Sequence, residues 1–181
     1  TDRKRAEATL RELGERQRFL LKLADAQRPL GDPIAVQDAT VRMLGEHLAV
    51  DRCYYAEFDW PHDVLHIHTE YRRSDAASAV GAHPISAFQD LLQFSHAGDP
   101  LVCDDIATHP IYKSEIAAYR ARSTDGIILI PLIKHGVMVA CMCVTMETPR
   151  RWTPTEIDLV RDVADRTWDA ALRARTEAAL A

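Results

Sequence analysis

The chain opens on a helical repeat. Ala6, Leu10, Leu13, Gln17, Leu20 and Ala24 step alternately by four and three through polar sequence, an a/d seam that predicts one long helix over residues 3 to 27, stopped by Pro29. Asp32 followed by Pro33 has the N-cap and first-turn chemistry of a second helix, reaching about His47 with Ile34, Ala35, Met43, Leu44 and Leu48 apolar. From residue 51 the period shortens. Residues 51 to 58 read as an aromatic-rich strand, and Trp60, Pro61, His62 and Asp63 as a turn. Val64 to Tyr71 alternates, with Leu65, Ile67, Thr69 and Tyr71 on one face and Val64, His66, His68 and Glu70 on the other, which predicts a half-exposed strand.

A Ser- and Ala-rich loop, Ser74 to Gly81, leads through His83, Pro84 and Ile85 to a short helix in which Ser86 and Gln89 have capping-box spacing before Leu91 and Leu92. Leu101 to Cys103 reads as a short strand, Asp104 to Pro110 as irregular, and Glu115 to Arg122 as a short helix. The strongest local signal is Ile127 to Ile133 and Val137 to Met146, two apolar strands joined through Lys134, His135 and Gly136. Both are apolar on both faces, so they belong at the centre of a sheet covered on each side. Thr153, Pro154 and Glu156 carry a complete helix-start signal, and Ile157, Val160, Ala164, Trp168, Ala171 and Leu172 form the stripe of a last helix running to Ala181. Long helices bracketing a mostly antiparallel sheet make an α+β layer arrangement.

With 181 residues, 47% of them hydrophobic, the chain has the size of one domain. Its apolar runs fall far short of the ~20 residues that cross a bilayer, and its first residues, Thr1 to Arg5, are charged where a signal core would be apolar. Four cysteines without scaffold-like spacing fit a reducing compartment, so a cytoplasmic protein with no membrane span is expected. A net charge of −5 gives no global basic field, and no nucleic-acid partner is expected.

Three segments then carry a resemblance. Leu101-Val102-Cys103-Asp104-Asp105-Ile106-Ala107-Thr108-His109-Pro110 resembles the "hydrophobic pair, Asp-Ile, two residues, Asp-Pro" phrase of the GAF domain family, with His109 in place of the usual acid. Leu129 to Ile133 with the Gly136 turn resembles that family's central hairpin, and Arg151 to Ile157 the start of its closing helix. The resemblance covers about residues 20 to 175 and is greatest to GAF sensory modules of bacterial sensor histidine kinases. It implies a central antiparallel sheet of five or six strands, terminal helices on one face and a ligand-pocket segment on the other. It divides the chain into a signalling and dimerisation helix, residues 1–28, and a GAF domain, residues 29–181, of which 153–181 close the domain and lead to an output domain. No phosphate-cradling glycine loop is present, so no kinase activity is expected of this chain itself.

The candidate chemistry is sparse. Cys141 and Cys143 share a strand face, as a metal or redox pair would, or simply pack as small apolar residues. His66 and His68 also share a face, as surface ligands or as solvated side chains. In the family some domains bind a bilin through a cysteine, often one followed by His, but none of Cys53, Cys103, Cys141 or Cys143 is followed by His, and neither a covalent bilin nor haem through His96 or His109 is expected. The family's Asn-Lys…Phe…Asp-Glu cyclic-nucleotide pattern is absent. A related methionine sulfoxide reductase works through loop cysteines, whereas Cys103 is followed by Asp104 and Asp105, which disfavour a thiolate. Those carboxylates either hydrogen-bond a ligand or cap a turn. Tyr112, Ile116 and Tyr119 fit one helical face and either roof a pocket or fill it. The expected ligand-binding set is Phe88, Leu92, Cys103, Asp104, Asp105, Tyr112, Ile116 and Tyr119, with no catalytic or metal residue. The expected homodimer interface is Leu10, Leu13, Gln17, Leu20, Trp168 and Ala171. The functional expectation is a small-molecule sensor acting on a downstream kinase or other output domain in cis, or a ligand-free dimerisation module.

Overall fold

The computed structural model describes residues 1–88, 93, 98–109 and 116–181. Its centre is the apolar hairpin. His135 and Gly136 both take positive φ, 53° and 77°, as a two-residue turn between twisted strands needs. Gly126–Lys134 (β5) and Val137–Met146 (β6) pair antiparallel across it. Around them lie Arg52–Asp59 (β1), Val64–Arg72 (β2), Gly81–Pro84 (β3) and Leu101–Cys103 (β4), giving a six-stranded sheet in the order β3-β2-β1-β6-β5-β4. All the pairings are antiparallel. β3 lies in what the sequence presents as a loop leading into a helix, because a four-residue edge strand containing Gly and Pro carries no apolar alternation.

Helices Asp2–Gln27 (α1) and Pro33–Leu48 (α2) and the closing helix Pro154–Leu180 cover one face. Asp32 caps α2 by accepting from the Ile34 and Ala35 amides at 3.3 and 3.2 Å. Thr153 and Glu156 complete a reciprocal capping box at the closing helix. The core on this side joins Leu23, Leu44, Val160 and Val163 to Tyr55, Ile128, Ile130, Met142 and Val144. Only the second half of α1 enters it, through Phe19, Leu20 and Leu23. The first half lies along the start of the closing helix, with an Arg16–Asp162 ion pair and a Thr155–Glu12 hydrogen bond of 3.3 Å.

The long-helix periodicities therefore serve different partners from those the seam suggests. Leu20 is 6% exposed and Ala171 3% exposed, both packed inside their own chain, Ala171 beside Val36, so neither side chain is available to a second copy. Leu10, Leu13 and Gln17 are exposed, and Trp168 is half-buried under the Lys134 ammonium, 6.0 Å from the ring centre. The buried stripe of the closing helix centres on Leu159, Val163, Thr167, Ala170 and Ala174, leaving Leu172 exposed.

The alternation along β2 also breaks. Tyr54 pairs with Glu70 but Ala56 with Ile67, so His68 and Thr69 together oppose Tyr55 in a bulge. Leu65 and Ile67 face away from the helices, whereas Thr69 donates to Asp38 of α2 at 2.6 Å and the Tyr71 ring lies against Gly45 of α2. A β-carbon on Gly45 would stand 2.1 Å from that ring. Gly45→Ala should therefore lower the unfolding free energy by about 1 to 3 kcal/mol, as overpacked cores do, despite the better helix propensity of Ala. Urea unfolding measures it, and Tyr71→Ala on the same background should recover part of the loss. An unchanged midpoint for Gly45→Ala would show that the ring is not seated there.

Candidate functional site

The bulge decides what lines the sheet's other face. Ala56 and Phe58 of β1, Leu65 and Ile67 of β2, Ile127 and Leu129 of β5 and Cys141 and Cys143 of β6 all point to this side. Residues 77–79, Phe88 and the stretch from Tyr119 to Thr124 stand over them. Between the two layers is a largely apolar cavity of about 250 Å³, somewhat below the roughly 300 Å³ at which ligand sites begin.

One part of its wall is charged. Arg52, the first residue of β1, is 6% exposed and lines the cavity, as do Arg122, Thr124 and Thr145. The Arg52 guanidinium donates to the carbonyl of Ala77 at 2.6 Å and of Arg122 at 3.4 Å. Glu70, turned to this side by the bulge, lies 3.5 Å from Arg52 Nε and accepts from Ser78 Oγ at 2.5 Å and the Ala79 amide at 2.9 Å. Arg72 Nε lies 3.2 Å from its other oxygen. Arg122 sits over the Phe88 ring, 4.7 Å from its centre. His83 Nε2 lies 2.7 Å from the Ala79 carbonyl and braces the same wall.

Of the residues the sequence singles out, Phe88 and Tyr119 line the cavity. Leu92, Tyr112, His96 and the Ile116 side chain lie outside the described residues. Cys103 is buried among the apolar residues of this face without lining the cavity, and its carbonyl accepts from Trp152 Nε1 at 3.0 Å. Asp104 accepts from the Trp152 amide at 3.1 Å, and Asp105 from the Ala107 amide at 3.0 Å. Asp105 thus caps the turn that follows it, whereas Asp104 ties the end of β4 to the segment that leads into the closing helix. Arg52, Glu70 and Arg122 are absent from the sequence-based set. Arg52 had a signal: it shares strand parity with Tyr54, Ala56 and Phe58, a lone charge on an otherwise apolar face.

All four cysteines are free and buried. Cys141 and Cys143 stand with sulfurs 3.9 Å apart in the cavity wall. Burial pushes the Cys53 thiol well up, and the Cys141 thiol is raised by its hydrogen bond with Cys143 together with burial. The Cys103 thiol is pushed up to about 11 chiefly by burial, with the neighbouring Asp105 and Asp104 carboxylates adding to it. Proximity of those acids is thus the smaller cause. These thiols are protonated at neutral pH and are poor nucleophiles. His66 and His68 stack at 5.8 Å. Among the described residues no group of three or more His, Cys, Asp or Glu side chains stands together as a metal site, and no helix is long and apolar enough to cross a membrane.

Comparison with known proteins gives one family. The sequence model of the GAF domain matches residues 32–170. Among solved structures, the phycoerythrobilin-bound GAF domain of a cyanobacterial phytochrome superposes with a TM-score of 0.77 at 13% identity, covering 90% of this chain and 97% of that one. The GAF domain of a phosphoenolpyruvate-protein phosphotransferase from Coxiella burnetii gives 0.74 at 16% identity, covering 91% and 97%. Free methionine-R-sulfoxide reductase from Neisseria meningitidis, in complex with its substrate, gives 0.68 at 16% identity, covering 89% and 90%. At such identities the likeness concerns the fold. No protein of curated function matches the sequence.

The raised thiols leave a stability signature. A thiol that titrates near 9.0 when free but at about 11 in the folded chain keeps its proton longer when folded. Its contribution is therefore intact below pH 9 and lost as pH rises through about 11, at about 1.4 kcal/mol per pH unit for each such group. Urea unfolding between pH 8 and pH 11 should show this decline, and Cys103→Ala should flatten it by about one proton. A slope unchanged by the substitution would mean that Cys103 titrates as a free thiol.

Proposed function

Because the chain belongs to the GAF domain family, we propose that it is a sensory module of a larger signal-transduction protein, a sensor histidine kinase being the favoured parent, that binds a small molecule in the cavity described above and relays its presence through paired terminal helices. The observation that carries this reading is the cavity itself. A sheet face with a purely structural role would be filled by its cover, whereas here apolar walls enclose space beside a buried guanidinium. The ligand set of this proposal keeps Phe88 and Tyr119 and adds Arg52 and Arg122. Leu92, Tyr112 and Ile116 stay in it as expectations, and Cys103, Asp104 and Asp105 support the wall from behind.

What the related structures bind or catalyse does not carry over. A covalent bilin needs a reactive thiol, and sulfoxide reduction needs an exposed thiolate with a resolving partner. Here the cysteines are buried, and Cys53, Cys103 and Cys141 are held in the protonated form. In this proposal the chain is a regulator without turnover, and its setting is the cytoplasm.

The relay rests on the helices. Leu10 and Leu13 of α1 are 69% and 50% exposed, and Leu172 and Leu180 of the closing helix are exposed as well. Covering a leucine is worth about 1.5 to 3 kcal/mol. A parallel homodimer joined through Leu10, Leu13 and Gln17, with Trp168 at its margin, hides the first of these. The same leucines favour the second reading, a dimerisation module that binds nothing.

Two measurements separate the readings. Thermal-shift screening with a metabolite panel should find stabilising compounds, and Ala56→Leu, which fills part of the cavity, should abolish their effect while leaving the fold intact. No stabilising compound from a broad panel would favour the ligand-free module. Light scattering at micromolar concentration should give a dimer that Leu10→Glu with Leu13→Glu converts to a monomer. A dimer that survives both substitutions would remove α1 from the interface.

A further inference from the structure

Building on the proposal that the cavity is a ligand site, we infer that its occupant is a compact apolar carboxylic acid whose carboxylate is received by Arg52 and Arg122. The charge census at this end of the cavity is uneven. Among the described residues, Arg52 and Arg122 stand in the wall and Arg72 beside it, against the carboxylate of Glu70. Glu70 is largely occupied elsewhere. Its short hydrogen bonds come from Ser78 and the Ala79 amide, and Arg72 approaches it more closely than Arg52 does.

Arg52 is the less satisfied partner. A guanidinium carries five N–H donors, and the hydrogen bonds of Arg52 among the described residues go to two neutral carbonyls, one of them long at 3.4 Å. Its Nε is buried without a hydrogen bond, 3.5 Å from Glu70. A buried cation in this state is costly, and a carboxylate supplies what it lacks: a negative charge and two oxygens that match the guanidinium fork. Arg122 also lines the cavity, with its guanidinium over Phe88 and its backbone carbonyl on the Arg52 guanidinium.

The remaining wall fixes the rest of the molecule. The wall otherwise mixes apolar side chains such as Phe58, Leu65, Ile67 and Leu129 with neutral hydroxyls and the His83 ring, which is engaged with the Ala79 carbonyl, and among the described residues that line it there is no carboxylate. The inferred body attached to the carboxylate is therefore uncharged and compact, a single ring or a branched aliphatic chain. An amine in place of the acid would face the arginines with like charge, and an amide would bring no negative charge to a cation that Glu70 only partly meets.

Matched probes test this. Phenylacetate and 4-methylpentanoate, their primary amides, phenethylamine and phenyl phosphate are titrated into the full chain, with binding read by ligand-observed NMR and thermal shift. The acids should bind, the amides about tenfold or more weakly, since hydrogen bonds to charged groups are worth about one such factor or more, and the amine not at all. Arg122→Gln and Arg52→Lys, the latter keeping the charge and losing the fork, should each weaken the acids about tenfold and the amides much less, so that the acid-to-amide ratio falls. Should Arg52→Lys fail to fold, Arg122→Gln alone decides. Equal binding of acid and amide, or a preference for the amine or the phosphate, overturns the carboxylate assignment and leaves the ligand cavity standing. If probes of every charge fail to bind, the cavity reading falls and this inference with it.

Discussion

The constraint on which this fold turns is that its central hairpin is apolar on both faces. Residues 126–132 of β5 and 140–145 of β6 are buried without interruption, so neither side of the sheet centre can be left to water. Three long helices satisfy one side with a close-packed core. Among the described residues, the other side is covered by shorter pieces: residues 77–79, the turn Ile85–Phe88 and the helix Ile116–Ala121. These short pieces present no long apolar stripe to the sheet, and a cavity lies between the layers. The cavity is thus a consequence of how unequally the two faces are roofed.

What that space contains depends on strand parity. A bulge at His68 and Thr69 sends Thr69 and Tyr71 to α2 and frees Glu70 to turn toward Arg52. Without it, the alternation of β2 would put Glu70 on the face opposite Leu65 and Ile67, against the helices, and leave Arg52 with carbonyls alone. A second irregularity, the extra residue Val139 on β6 opposite Leu132 and Ile133 of β5, puts Met138 on the cavity side while Ala140 faces the helices. Both show a one-residue insertion reassigning everything beyond it.

This explains which features were legible in the sequence. The hairpin turn, the Asp32 cap and the Thr153 capping box depend on contacts within a few residues, and the type of each residue states its role. The order of elements and the α+β class follow from those signals together with the apolar runs. Parity beyond a bulge does not, since no residue type marks His68 and Thr69 as the pair to be counted once. Nor does periodicity name a partner: Leu20 and Ala171 carry the same apolar signal whether they meet a second chain or, as here, their own core. The Arg52 end of the cavity needed both pieces of information, which is why it was not assembled from spacing.

The same two-faced hairpin offers the proposed sensor a route from cavity to helices. Arg52 pairs with Thr145 across β1 and β6, and the next residues along each strand, Cys53 and Val144, belong to the helix-side core. A shift of Arg52 toward a bound anion is therefore passed, within one residue, to side chains that touch the helices. That core is close-packed and yields little, so displacement is transmitted instead of absorbed. The contacts at the far end are different in kind. The first half of α1 is held to the closing helix by the half-buried Arg16–Asp162 pair and the exposed Thr155–Glu12 hydrogen bond, two polar contacts in place of a packed apolar core. A stiff sheet ending in a helix held by polar contacts alone places movement at those contacts in the proposed sensor. That is also where Leu10 and Leu13 meet the second copy, so the movement coincides with the surface whose geometry an output domain would read.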